Sequence, residues 1–204
     1  MPIQAMKLPL DCEATYDATF LASDESSRLF EFITSNCDLT DRSIQMADGR
    51  HAQLDVGSHT FVDRDLTGFE SLPEVFGPRT PWPALVQDLK DRIEAAAGRV
   101  FNVCRAIYYK DGTAGADFHS DFPAYGSTDC IASISLGEER TFAMRRRDKP
   151  EDIYRLVLAD GSLLIVGEHC QDRYEHSLPV DPRYKNPRIN LTFRPFGWGD
   201  GRGS

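Results

Sequence analysis

From Phe101 onward the chain breaks into short segments rich in β-branched and aromatic residues: FNVCRAIYY, CIASISLG, RTFAMRR, YRLVLA, SLLIVG and RINLTFR. Turn signals such as Lys110-Asp111-Gly112 and Asp160-Gly161 separate them. Two helical patterns come first. In TPWPALVQDLKDRIEAAAG, Leu85, Val86, Leu89 and Ile93 share one face, Thr80 and the prolines mark a start, and Gly98 marks a stop. In SSRLFEFITS, residues 26–35, Leu29, Phe30 and Ile33 recur at helical spacing behind Ser26 or Ser27 as N-cap. Helices ahead of many short strands imply an α+β fold. The expected form is a double-stranded β-helix, or jelly roll, with the N-terminal helices packed on one sheet.

At 204 residues the chain is sized for one domain, and its apolar and charged fractions are ordinary for a soluble protein. It has no run of 18 apolar residues, and MPIQAMKLPLDCEATYD lacks the charged leader and apolar stretch of a signal peptide. The expectation is an intracellular protein, cytoplasmic or nuclear, without a membrane partner and monomeric. Five cysteines (Cys12, Cys37, Cys104, Cys130 and Cys170), an odd set with no CxxC pair, are expected to be reduced thiols behaving as small hydrophobes.

The net charge of −9 is unevenly spread. Residues 1–75 hold 14 Asp/Glu against 5 Lys/Arg, whereas residues 76–204 hold 18 of each. The acidic excess is N-terminal, and the neutral remainder contains the run Arg145-Arg146-Arg147-Asp148-Lys149, a candidate phosphate-facing patch. The Gly-rich end GWGDGRGS, residues 197–204, is expected to be a flexible tail.

DFHSDFPAYG, residues 117–126, places His119 and Asp121 two apart, so on an extended chain both reach one point. Two ligands make a weak site. A third histidine downstream, His169 or His176, would complete a 2-His-1-carboxylate set, which holds Fe(II) on one face and leaves three positions open. His176 lies in YEHSLPV, after the strand SLLIVG and its loop. In RINLTFR, Arg188, Asn190, Thr192 and Arg194 alternate with Ile189, Leu191 and Phe193. One face of that strand therefore carries two guanidinium groups, and charges facing inward are costly unless anions pair with them. A dicarboxylate would do so.

Taken together, YYKDG, HSD, IASISLGEERTFAMRR, ADGSLLIVG, EHSLP and RINLTFR, in this order between about Leu66 and Phe196, resemble the AlkB-like Fe(II)/2-oxoglutarate-dependent dioxygenases. The organisation expected is a single domain over 1–204, with a variable acidic part over 1–65, the region of resemblance over 66–196 and the tail. The resemblance implies that His119, Asp121 and His176 hold Fe(II). It also implies that Arg188 clamps the distal carboxylate of 2-oxoglutarate, that Arg194 lies near the keto-acid end, and that Tyr109 and Asn190 support the cosubstrate. Ile107 stands where the family usually has Asn, which removes one hydrogen bond to the cosubstrate. The implied reaction spends O2 and 2-oxoglutarate on C–H hydroxylation, with an alkylated nucleobase in DNA or RNA as the first substrate class. Arg145, Arg146 and Arg147 are then the candidate substrate contacts. Pro123, where base-repairing members carry an acidic residue, keeps a second reading open: hydroxylation of a small-molecule metabolite or a protein side chain.

Overall fold

The computed structural model describes residues 5–45, 51–68, 78–121, 123 and 126–197. In chain order the elements are β1 (Met6–Lys7), β2 (Ala14–Asp17), α1 (Ser23–Asn36), β3 (Asp41–Gln45), β4 (His51–Val62), β5 (Arg79–Pro81), α2 (Ala84–Ala97), β6 (Val103–Tyr109) and β7 (Ala116–His119). β8 (Ile131–Gly137), β9 (Arg140–Arg146), β10 (Ile153–Leu158), β11 (Leu163–Val166), α3 (Cys170–Arg173), β12 (Tyr174–Leu178) and β13 (Arg188–Arg194) follow. The strands form two sheets, as expected of a jelly roll. The larger runs β1-β2-β11-β8-β13-β6-β4-β3, with β5 beside β4, and the smaller runs β10-β9-β12-β7.

Alternation along the central strands of the large sheet creates its two faces. Ala132, Ile134 and Leu136 of β8, Cys104 and Ala106 of β6, and Ile189, Leu191 and Phe193 of β13 form one buried cluster with Leu29 and Ile33 of α1 and Val86, Leu89 and Ile93 of α2. Each valine, leucine, isoleucine and phenylalanine among them contributes roughly 1.5–3 kcal/mol by leaving water. The intervening residues face the small sheet. Ile131, Leu164 and Val166 meet Met144, Leu158 and Tyr174 there, in a second apolar cluster that closes one part of the space between the sheets. Arg140, fully buried, donates to the carbonyls of Asp111, Ala114 and Pro179 at 3.0–3.1 Å and ties together the loops that follow β6 and β12.

α2 begins behind Pro83 and ends at Gly98, whose φ of 63° is open to glycine without strain. α1 starts earlier than the Ser26/Ser27 cap predicts. Its N-cap is Ala22, whose N–H donates to Glu25 Oε2 at 3.0 Å, and Ser26 is instead buried with its hydroxyl donating to Asp160. A carboxylate three residues into the helix satisfies the exposed end as well as a serine before it would.

Three further differences from the sequence expectation matter. Strands are not confined to the region after residue 101: β2 pairs with β11 and β4 with β6, so residues from the acidic first third complete the large sheet. The short polar strands β7 and β12 were not expected as strands, because ADFH and YEHSL lack a β-branched run. Cys12 and Cys170 are not reduced thiols but a disulfide, with Cα atoms 5.1 Å apart across 158 residues of chain. Spacing along the sequence holds no trace of a contact made only when the β1–β2 loop meets α3. Cys37, Cys104 and Cys130 are free, the last two buried. The tail beyond Gly197 lies outside the described residues. No helix among the described residues is long and apolar enough to cross a membrane.

Leu191→Ala, which opens a cavity under α1 and α2, is expected to destabilise the fold by about 2–5 kcal/mol and to lower Tm by on the order of 10 °C, measured by thermal denaturation.

Candidate active site

β12 and β7 run antiparallel with His176 directly opposite His119. The two rings project from the small sheet into the space between the sheets, their centroids 4.4 Å apart. Asp121, just past the end of β7, brings Oδ1 to 3.8 Å from His119 Nε2 and 3.7 Å from His176 Nε2. One ligand atom from each residue lies within 4.8 Å of the others, and among the described residues this is the one such group of His, Cys, Asp and Glu. Two imidazoles and a carboxylate at this spacing can share a single divalent ion on three adjacent positions.

Hydrogen bonds prepare the ligand atoms. His119 Nδ1 lies 2.7 Å from Asp117 O, which places the proton on Nδ1 and leaves the Nε2 lone pair for a metal. Burial, offset in part by Asp121 and reinforced by His119, holds the His176 pKa down at about 4, so its ring is neutral and ready to coordinate at physiological pH. The Asp121 backbone N–H donates to Gln171 Oε1 at 2.8 Å. His169, the other downstream histidine, stays outside: it is exposed and lies 3.8 Å from Asp172.

Facing these groups across a cavity of about 190 Å³ is the inner face of β6 and β13. Register places Arg188 opposite Tyr109 and Asn190 opposite Ile107. Arg188 is only 2% exposed. One of its terminal nitrogens donates to Ser135 Oγ at 3.0 Å and Asn190 Oδ1 at 3.1 Å, while its Nε has no hydrogen-bond partner. Among the described residues no carboxylate pairs with it. Loss of hydration, only partly offset by Tyr109, pulls the Arg188 pKa down to about 10, which still leaves it cationic. Burial likewise raises the Tyr109 pKa, so that hydroxyl stays protonated. Asn190 is held on both sides, accepting from Ser133 Oγ at 2.8 Å and donating to Thr192 Oγ1 at 2.6 Å. Arg194 lines the same wall at the far end of β13.

The arginine run is not brought together as a patch. Arg145 alternates with the cavity-lining Phe142, so it sits on the outer side of the small sheet, over the Phe118 ring at 4.1 Å and paired with Glu175 at 2.6 Å. Arg146 pairs with Asp148 at 2.8 Å and Asp11 at 3.6 Å. Only Arg147 lies beside the ligand loop, exposed, with Nη1 3.4 Å from Ser120 Oγ. Conversely, Arg105 and Gln171 line the cavity and were not anticipated. The alternation of VCRAIYY carries the signal for Arg105, since it shares a face with Ile107 and Tyr109. For Gln171, four residues of turn carry none.

Comparison with known proteins agrees with this architecture. The profile of the 2OG-Fe(II) oxygenase superfamily matches residues 14–194, and the chain belongs to that superfamily. Within it the chain is AlkB-like. It is 35% identical over 136 residues to alpha-ketoglutarate-dependent dioxygenase alkB homolog 3 of Mus musculus, covering 62% of this chain and 47% of the relative. It is 36% identical over 124 residues to the DNA oxidative demethylase ALKBH2 of Bos taurus, covering 56% of this chain and 44% of the relative. The chain thus matches a little under half the length of these relatives. A solved structure of OsALKBH1 superposes with a TM-score of 0.65 at 16% identity, covering 92% of this chain and 100% of that one, a likeness of fold.

With the ligand atoms so placed, His176→Ala is expected to weaken binding of Co(II), a spectroscopic substitute for Fe(II), by well over about tenfold. His169→Ala should leave it unchanged. Titration of the metal absorption bands checks both.

Proposed function

We propose that this chain is an Fe(II)- and 2-oxoglutarate-dependent dioxygenase that oxidatively dealkylates an alkylated nucleobase. One observation carries the reading: across a single cavity, a His-Asp-His set faces a buried arginine with which no carboxylate among the described residues pairs. A buried cation in that state is an anion site. The donor set fits a ferrous ion, since two imidazoles and one carboxylate suit a borderline metal.

When bound, the ion and 2-oxoglutarate supply the oxidising chemistry, which uses O2 to hydroxylate a C–H bond as 2-oxoglutarate loses CO2 and becomes succinate. The protein positions and shields. His119, Asp121 and His176 would hold the ion on the small sheet, with the Asp121 carboxylate offsetting part of its charge. Arg188 offers a charge-assisted fork to the distal carboxylate, and Arg194 serves the keto-acid end. Tyr109, protonated, donates a hydrogen bond to the cosubstrate, whereas Ile107 presents no donor. Phe142, Leu164 and Val166 line the cavity with apolar surface that excludes water. An N-methyl group hydroxylated here would leave as formaldehyde. The relatives' names, one of them a DNA oxidative demethylase, support a nucleobase as substrate.

The ion pairs of Arg145 and Arg146 narrow the phosphate contacts to Arg147 and Lys149. They also favour, as the second reading, a small metabolite or protein side chain, which needs no basic face.

Arg188→Ala is expected to raise the apparent KM for 2-oxoglutarate by about tenfold or more, with Lys at this position restoring only part, because one charged hydrogen-bonded pair contributes about 1.5–3 kcal/mol. Unchanged 2-oxoglutarate kinetics in both variants would remove the anion site from Arg188.

Substrate class is tested by turnover of methylated oligonucleotides with formaldehyde detection, together with binding across a salt series. For a nucleic acid, log affinity should fall linearly with log salt by about 0.7–0.9 per phosphate contacted. Arg147→Ala should make that slope shallower by about one, and Arg145→Ala should change it less. Absence of oligonucleotide binding even at low salt would leave the second reading.

A further inference from the structure

Asp121 lies beyond the last paired residue of β7, so the ladder that fixes His119 and His176 does not fix it. The holds on this short loop come from across the cavity rim. Asp121 N–H donates to the side chain of Gln171 at 2.8 Å, and Ser120 Oγ donates to Tyr174 O at 3.0 Å. Gln171 is 9% exposed, and its carboxamide is the one side chain among the described residues that hydrogen-bonds the backbone of a candidate ligand. Yet it stands on α3, a single turn of four residues, too short to hold its own shape.

The surroundings hold α3 instead. Cys170 is joined to Cys12, Arg173 donates to Asp11 O at 2.7 Å and pairs with its carboxylate at 3.0 Å, and Asp11 N–H donates to Tyr174 Oη at 2.9 Å. His169, immediately before the bridge, has φ of 66°, a left-handed conformation that a non-glycine residue keeps only when its neighbours impose it. The segment that carries Gln171 is thus pinned to the β1–β2 loop by one covalent bond and a few polar contacts.

We propose that Gln171 is a positioning residue for the metal ligand Asp121, and that the Cys12–Cys170 bridge governs how firmly it does so. The proposal rests on reading His119, Asp121 and His176 as the metal ligands. The bridge can be opened from one side. Cys12 is half-buried and Cys170 only 1% exposed, so a thiolate attacks the Cys12 sulfur and Cys170 leaves. A dithiol reductant supplies two electrons and two protons and itself becomes a disulfide, and the bridge becomes two thiols. The Cys170 thiol then has an acceptor in place, Glu13 O, 3.2 Å from its sulfur. The polar contacts keep α3 nearby, but Gln171 is no longer tethered and Asp121 is held less closely over the ion.

The test uses the full chain and Co(II) alone, with affinity and absorption bands followed by titration. Protein is compared oxidised and after reduction by a phosphine that is then removed. Gln171→Leu, apolar and without an acceptor, should weaken oxidised binding about tenfold and alter the bands. Gln171→Glu, which keeps the acceptor oxygen, should stay within about threefold of the unsubstituted chain. Gln171→Asn, too short to reach Asp121, replaces the Leu variant if that one does not fold. Reduction, or Cys12→Ser, should weaken the unsubstituted chain several-fold and leave Gln171→Leu no weaker than before. Full affinity in Gln171→Leu, or an equal loss in the Glu variant, would overturn the positioning role. Equal loss on reduction with and without Gln171 would overturn the link to the bridge. If His176→Ala binds Co(II) as tightly as the unsubstituted chain, the ligand reading itself fails, and this inference fails with it.

Discussion

A strand in the middle of the large sheet has to satisfy opposite demands on its two faces, and β13 does so by strict alternation. Ile189, Leu191 and Phe193 seal the sheet against α1 and α2, while Arg188, Asn190, Thr192 and Arg194 face the small sheet. A slip of one residue would bury the guanidinium groups among helices and expose the apolar set to the cavity. Register here is therefore fixed by energy as much as by hydrogen bonds, and everything functional hangs on it. Pairing with β6 puts Tyr109 and Ile107 beside the arginine wall, and pairing with β8 supplies Ser133 and Ser135 to hold Asn190 and Arg188.

The two sheets divide the chemistry between them. Groups that suit a metal sit on the small sheet and groups that suit an anion on the large one, so a molecule of the proposed kind, which chelates a metal and carries a distal carboxylate, would span the gap. Burial tunes each half in the useful direction. It keeps His176 neutral, as metal coordination would require, and it leaves Arg188 cationic with a poor supply of counter-charge. The same desolvation would be a liability in an empty core and becomes recognition when an anion is the partner.

Much of this was legible from particular residues. The alternation of RINLTFR marked a strand with a cationic face, the spacing of Leu85, Val86, Leu89 and Ile93 marked α2, and His119 with Asp121 marked two members of the His-Asp-His group. Other parts were not. ADFH and YEHSL are too short and polar to read as strands, although they carry His119 and His176. The acidic first third gave no sign that β2 and β4 belong to the large sheet. Counting arginines suggested one basic patch, but β-alternation turns Arg145 to the outer side of the small sheet, Asp148 and Asp11 pair with Arg146, and Arg147 lies beside the candidate site.

What the sequence determined by itself is whatever has a period or a local motif: the strand and helix patterns, the His-x-Asp pair and the arginines at a spacing of six. Periodicity is a property of neighbours along the chain, so it survives without a fold. What only the tertiary structure decided is which distant residues meet. His176 rather than His169 stands opposite His119 because β12 pairs with β7, and Cys12 meets Cys170 because the β1–β2 loop closes over α3. Gln171 gains its hold on Asp121 by the same closure. Such contacts depend on how two sheets are stacked and where their loops come to rest, and no local pattern in either partner encodes them.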